Sequence, residues 1–141
     1  MTVNLSEEAR QHLGVFEEEI GVTPLDCIVD DEFDRVVYVV PAGKMGQAIG
    51  PDGSRVAHLE DVLGRTVELV EKAATPEAFV ANALAPAAVY NVTVSDNGDV
   101  VAYVEVDHDD KGVAIGTDGR TIHAARELAE RHFGIDDIQF T

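Results

Sequence analysis

Cysteine and long hydrophobic runs are scarce in this 141-residue chain. The single cysteine, Cys27, excludes an internal disulfide, which suits a reducing cytosol. It falls in the apolar run of residues 25–29, so we interpret it as a structural strand residue and not as a nucleophile. No apolar run approaches the roughly 20 residues of a membrane span. Residues 1–6 lack the basic and apolar regions of a signal peptide, and a cytoplasmic protein is expected.

Positive charge is also scarce. The chain has 10 lysines and arginines against 27 aspartates and glutamates, a net charge of −17. The acidic residues are spread along the chain, which indicates a property of the whole surface, and such a charge favours a soluble monomer. Because the Debye length falls to about 3 Å in molar salt, we interpret the surface as halophilic, with an ordinary acidic protein as the alternative. Charge alone would disfavour a nucleic-acid partner.

An eight-residue motif occurs twice in the chain. Residues 46–53 are GQAIGPDG and residues 112–119 are GVAIGTDG, so Gly50 recurs 66 residues later as Gly116. An offset close to half the chain length indicates a duplicated structural unit. The sequence therefore predicts a first module at residues 1–73 and a second module at residues 74–141.

The two motifs lie in the same order of predicted elements. Each module opens with a helix start, Ser6 followed by acids in the first module and Thr75-Pro76 in the second. The predicted hairpin strands are residues 25–29 with 36–40 and residues 90–95 with 100–106; the short helices are 44–49 and 110–115; the closing strands are 66–70 and 137–140. A longer helix follows each glycine turn. The order α-β-β-α-α-β thus occurs twice, which predicts an α+β fold with helices on one face of each three-stranded sheet.

The repeated glycine turn has the properties of a phosphate-binding device. Glycine adopts positive φ readily, and without a Cβ it lets another backbone approach closely. The turn also exposes the first amide groups of the following helix, which favour an anion. Ile49 and Ile115 directly precede the turns and could line an apolar groove for bases.

The segments AIGPDGSRV at residues 48–56 and AIGTDGRTI at residues 114–122 resemble the I-G-x-x-G core of KH domains. A helix ahead of the hairpin resembles the type II KH arrangement. Tandem type II KH modules filling a short chain resemble archaeal NusA-like transcription termination and antitermination factors. The resemblance implies that single-stranded RNA is a partner, with about four nucleotides held at each turn. It also implies RNA polymerase or other transcription machinery as a further partner.

The candidate site consists of the residues in and around the two turns. The predicted RNA-binding residues are Lys44, Ile49, Gly50, Pro51, Asp52, Gly53, Ser54, Arg55, Lys111, Ile115, Gly116, Thr117, Asp118, Gly119, Arg120 and Thr121. KH turns commonly carry basic residues between the glycines, whereas both turns here carry an aspartate, which repels phosphate. Capping of the following helix is the alternative role for Asp52 and Asp118.

Other functions have weaker support in the sequence. A ligand-free tight turn would also need the glycines, but the duplication favours a functional site. A dinucleotide-binding enzyme needs G-x-G-x-x-G directly after a strand, and neither copy has it. Residues 107–110, DHDD, lack metal-ligand spacing, and Asp109 or Asp110 is expected to cap a helix. We therefore predict no enzyme activity, cofactor or metal. The alternative function is an acidic protein-interaction module of the transcription or translation machinery with vestigial RNA binding.

Overall fold

The structure, a computed structural model, describes residues 6–141. Contacts between residues divide the chain into two compact units, of which the first ends at Lys72 and the second begins at Ala73. No helix within residues 6–141 has both the length and the apolar character needed to cross a membrane. Each unit contains one three-stranded sheet and its own helices.

The first module builds its sheet around a central strand. Its elements are α1 (Glu7–Ile20), β1 (Asp26–Asp30), β2 (Arg35–Val40), α2 (Met45–Ile49), a 3-10 turn (Pro51–Gly53), α3 (Ser54–Leu63) and β3 (Thr66–Glu71). β1 pairs antiparallel with β2, and β3 pairs parallel with the other side of β2. The return from β2 to the parallel β3 requires a crossover, and α2, the turn and α3 provide it.

The second module repeats this topology. Its elements are α4 (Pro76–Ala83), β4 (Val89–Asn97), β5 (Asp99–Val106), a 3-10 turn (His108–Asp110), α5 (Lys111–Ile115), a second 3-10 turn (Thr117–Gly119), α6 (Arg120–Phe133) and β6 (Asp137–Phe140). β5 is central, antiparallel to β4 and parallel to β6. The predicted α+β fold with two tandem α-β-β-α-α-β modules is confirmed, and the ends of the predicted strands and short helices shift by at most two residues.

Local sequence signals explain where the first helix of each module begins. The Ser6 hydroxyl accepts a hydrogen bond from the Ala9 amide at 3.1 Å, and the Thr75 hydroxyl accepts one from the Ala78 amide at 3.3 Å. Both interactions satisfy an amide that has no partner inside the helix. The two predicted caps are confirmed.

The core of the first module lies between its helices and one face of its sheet. Its fully buried members come from α1, β2, α2 and α3, and are Phe16, Val36, Tyr38, Val40, Ala48 and Leu59. In the second module α6 has 14 residues where α3 has 10, the additional turn expected from the sequence. One additional turn keeps the apolar stripe on the same side of the helix.

Cys27 lies in β1 with 1% of its surface exposed. Its thiol is 3.3 Å from the Ala9 carbonyl oxygen, to which it donates a hydrogen bond. A buried thiol of this kind behaves as a small apolar residue, and the structural interpretation of Cys27 is confirmed.

A buried charge in the first module was not predicted from the sequence. Arg35 is 1% exposed, and its guanidinium lies 2.8 Å from a carboxylate oxygen of Asp30 and 2.8 Å from one of Glu68. Burial raises the pKa of the Asp30 carboxyl, but hydrogen bonds from Arg35 and from backbone amides outweigh this and hold the pKa below its ordinary 3.8. Removing the Asp30 carboxylate would leave Glu68 to compensate the buried Arg35 charge, so the loss of stability should be moderate.

The Asp30→Asn variant should lose on the order of 1 kcal/mol of unfolding free energy at neutral pH, because the charge-assisted hydrogen bond becomes a neutral one. A carboxyl whose pKa is lowered by folding stabilises the folded state above its unfolded pKa, and this contribution disappears as the pH falls through the folded pKa. Urea titrations of parent and variant at a series of pH values should therefore converge below pH 3.8. A difference that stays constant down to acid pH would contradict the assignment.

Candidate nucleic-acid interface

The two glycine turns have nearly the same backbone conformation. The first glycines have φ, ψ of 77°, 174° at Gly50 and 81°, 165° at Gly116. The second glycines have 74°, 13° at Gly53 and 77°, 13° at Gly119. All four angles of φ are positive, the region in which only glycine is free of steric cost. The modules thus conserve a turn geometry as well as a motif.

The aspartate inside each turn is part of this geometry. Asp52 has φ, ψ of 54°, 28° and Asp118 has 56°, 25°, both left-handed. The residue that precedes each long helix is Gly53 or Gly119, and no side chain caps α3 or α6. Capping of the following helix, the alternative role for the two aspartates, is therefore wrong. Aspartate is among the few residues that tolerate this conformation, which accounts for its presence in both copies.

The first glycine of each turn is packed closely by the following helix. A Cβ on Gly50 would lie 2.6 Å from Cγ of Arg55, and a Cβ on Gly116 would lie 2.8 Å from the backbone nitrogen of Thr121. By contrast, a Cβ on the second glycine, Gly53 or Gly119, would meet nothing within 4 Å. The first position is closed by the protein itself, whereas the second faces open space.

Several backbone amides of the turns are already used internally. Gly50 and Gly116 donate to the carbonyls of the short helices, and Gly53 and Gly119 donate to Gly50 and Gly116 at 3.1 and 3.0 Å. Among residues 6–141, the amides of Asp52, Thr117 and Asp118 make no hydrogen bond outside the helical segments. These groups, with the beginnings of α3 and α6 behind them, can donate to an anion.

Cations flank the turns. Lys44 directly precedes α2 and Lys111 begins α5. Both side chains are exposed, and neither ammonium group makes an ion pair or hydrogen bond within residues 6–141. The Arg55 guanidinium donates to the Gln47 carbonyl at 2.5 Å, and Nε of Arg120 donates to the Thr117 carbonyl at 3.1 Å. Elsewhere, arginines form ion pairs with carboxylates; these are Arg35, Arg65, Arg126 and Arg131.

Exposed apolar side chains lie beside each turn. Ile49 is 38% exposed and Ile115 is 41% exposed, while the preceding alanines are fully buried. Val113, also 41% exposed, adds to this surface in the second module and was not predicted from the sequence. Its apolar character between Gly112 and Ala114 was the available signal. Exposed apolar groups of this kind can contact bases.

The remaining predicted residues divide by position. Ser54 and Thr117 are exposed, whereas Thr121 is half-buried against Gly116. The predicted residues of each module lie within one short stretch of chain, from the short helix to the start of the long helix, and they surround one turn.

The acidic segment before α5 has a structural role. Asp107 accepts from the Asp109 amide at 2.9 Å and from the Tyr90 hydroxyl, which lowers the pKa of Asp107, and Asp110 accepts from the Ala88 amide at 2.7 Å. Asp107 thus caps the 3-10 turn, whereas Asp110 occupies the predicted N-cap position of α5 without a side-chain hydrogen bond to that helix. Among residues 6–141 no group of three metal-ligating side chains is present.

Fold and turn together define a protein with two tandem KH domains. A family model described as "KH domain" matches residues 8–75, and one described as "NusA-like second KH domain" matches residues 76–140. The chain is 66% identical over its full length to the "Probable transcription termination protein NusA" of Halobacterium salinarum, and 56% identical over 99% of both chains to that of Halococcus morrhuae. It also matches the crystal structure of a protein designated APE1850, with a TM-score of 0.84 and 32% identity over 97% of this chain and all of that one. The chain belongs to the NusA family of transcription termination proteins.

These comparisons confirm the resemblance that the duplicated motif indicated. They also bear on the charge, because the relatives in Halobacterium and Halococcus come from halophiles. The halophilic interpretation of the −17 charge is supported by this origin.

Proposed function

We propose that this chain binds single-stranded RNA through both glycine turns and that this binding serves transcription termination or antitermination in the cytoplasm. The observation that carries the proposal is the repeated turn conformation, with φ and ψ of the two first glycines at 77°, 174° and 81°, 165°. Two turns 66 residues apart would not keep such an unusual conformation for helix connection alone. KH domains hold RNA backbone at this loop.

The proposed contacts follow from the geometry of each turn. A phosphate lies over the open second glycine, Gly53 or Gly119, and accepts from the amide of Asp52 in the first turn and from those of Thr117 and Asp118 in the second. Bases lie against Ile49 in the first module and against Ile115 with Val113 in the second. The flanking cations supply attraction at long range, and the remaining predicted residues of the turns shape the track for the backbone.

Because the chain is strongly acidic, high salt should favour RNA binding instead of weakening it. The chain as a whole repels RNA with a charge of −17, but at molar salt the Debye length of about 3 Å leaves only close contacts effective. Contacts within the turns then outweigh the repulsion. RNA polymerase or another part of the transcription machinery is the proposed protein partner, by analogy with the relatives' name.

The Lys44→Gln, Lys111→Gln double variant tests the site. Each phosphate neutralised on a single strand contributes roughly −0.7 to the slope of log K against log salt. If the two lysines each neutralise one phosphate, their loss should make the slope more positive by about 1.4, and affinity at low salt should fall severalfold. Fluorescence anisotropy of a labelled single-stranded RNA across a KCl series measures both.

Arg10→Gln is the matched control, because Arg10 is exposed on α1, outside both turns. It should leave the slope unchanged. Equal slopes for the double variant and the parent would place the RNA away from these lysines. Failure of the parent itself to bind any single-stranded RNA in molar KCl would refute the proposal.

One observation favours a second function. The exposed Asp52 and Asp118 place a negative charge in both turns, which suits a basic protein partner better than a phosphate. In that case the chain acts as an interaction module. If the parent protein binds transcription machinery but no RNA, this second function is the correct one.

A further inference from the structure

We infer that the two turns are unequal, and that the second module holds the RNA backbone more tightly than the first. The inference rests on the proposed function and concerns which turn dominates. The difference lies at one position of the motif, Pro51 in the first turn and Thr117 in the second. It gives the second turn two hydrogen-bond donors that the first lacks.

The first donor is a backbone amide. Proline has no N–H, so Asp52 contributes the only amide of residues 51 and 52. In the second turn both Thr117 and Asp118 have amides, and within residues 6–141 neither donates to a residue outside the helical segments. A phosphate over the second turn can therefore accept from one additional backbone group.

The second donor is the Thr117 hydroxyl. Thr117 is exposed, and no hydrogen bond of its side chain is present within residues 6–141. A hydroxyl can donate to a phosphate oxygen and rotate to suit its position. Pro51 offers only ring carbons at the same place.

The backbone of the first turn does not make up for the two donors that this turn lacks. The glycines before and after the variable position have the same conformation in both turns, so a phosphate would meet the same frame in each. The flanking cations do not favour the first module either, since each turn has one lysine and one arginine nearby. The chemical difference at residues 51 and 117 therefore decides the ranking.

Exchange of the two residues should be compatible with folding. Gly116 has ψ of 165° and Gly50 has ψ of 174°, and an extended ψ is what a residue before proline requires. Thr117→Pro should thus remove both donors without altering the turn. Thr117→Val removes the hydroxyl alone, Pro51→Ala restores the amide alone, and Pro51→Thr restores both.

The experiment is an NMR titration of the full chain with a short single-stranded RNA of random sequence in molar KCl. The amides of Gly53 and Gly119 report the two turns separately. In the parent, the Gly119 signal should shift at a lower RNA concentration than the Gly53 signal. A charge-assisted hydrogen bond corresponds to about a tenfold change in affinity. Thr117→Pro should therefore weaken the second turn by at least that factor, with Thr117→Val between it and the parent.

The first-module variants complete the test and do not depend on Thr117→Pro folding. Pro51→Thr should raise the RNA affinity of the first turn towards that of the second. Pro51→Ala, which restores only the amide, should give the part of this increase that the amide contributes. Equal midpoints for Gly53 and Gly119 in the parent, or no response to Pro51→Thr, would overturn the inference while leaving RNA binding at the turns intact. Absence of shifts at both turns would instead refute the proposed function itself.

Discussion

RNA binding should be abolished when Pro51 and Thr117 are both replaced by aspartate. Each substitution adds a negative charge directly on the proposed phosphate track, next to Asp52 or Asp118. At about 4 Å two unit charges near a protein surface interact by about 4 kcal/mol before screening by salt. Molar salt reduces this repulsion, but the aspartate side chain also obstructs the track for the RNA backbone. Both residues are exposed, so the unfolding free energy should change by no more than about 1 kcal/mol. Anisotropy with labelled RNA in molar KCl, beside urea denaturation, measures the two effects.

A matched control separates local charge from total charge. Gln11→Glu with Asn91→Asp adds the same two charges, one in each module, at exposed positions outside the turns. This control should bind RNA almost as the parent does, because molar salt screens distant charges. If the aspartate variant binds RNA as well as the control does, the glycine turns are not the RNA site. That result would favour the alternative function, a protein-interaction module.

Gly116→Ala should be far more destabilising than Gly119→Ala. Gly116 combines φ of 81° with ψ of 165°, a region that is almost exclusive to glycine, and an added Cβ would overlap the backbone nitrogen of Thr121 at 2.8 Å. Strain of this kind costs about 1–3 kcal/mol before the overlap is counted, so a loss of about 3 kcal/mol is expected. Gly119 has φ of 77° and ψ of 13° with open space for a Cβ, and alanine there should cost about 1–2 kcal/mol.

The same pair of variants also separates folding from binding. Urea denaturation followed by circular dichroism in molar KCl gives the two losses of stability. Gly119→Ala should remain folded and yet lose RNA affinity at the second turn, because its methyl group would occupy the open side of the turn. Equal destabilisation by the two alanines would contradict the assignment of a closed first glycine and an open second one.

Much of the fold was predictable because its signals are local. Ser6 and Thr75 cap helices through residues three positions away, and the alternation of β5 directly reflects a strand with one buried face. The duplication added independent support, because the order of elements inferred in one module could be checked against the order in the other. The bounds of the elements were less well predicted, because the ends of strands depend on pairing with neighbours.

The candidate site was predictable in position but only partly in chemistry. The motif located both turns, and the residues around them are neighbours in sequence. It did not indicate that Asp52 and Asp118 take a left-handed conformation, because capping and left-handed turns favour the same residue type. It also did not indicate which amides are used internally, which is decided by the hydrogen bonds of the folded turn.

The sequence by itself determined the duplication, the α+β order of elements, the KH resemblance and the location of the turns, because these depend on spacing and residue type along the chain. The tertiary structure alone decided that Arg35 is buried between two carboxylates, one of them 33 residues away in β3. It also decided that Arg55 and Thr121 close the first glycine of each turn while the second stays open. These properties depend on which atoms become neighbours after folding, and a linear pattern does not contain distances between its parts.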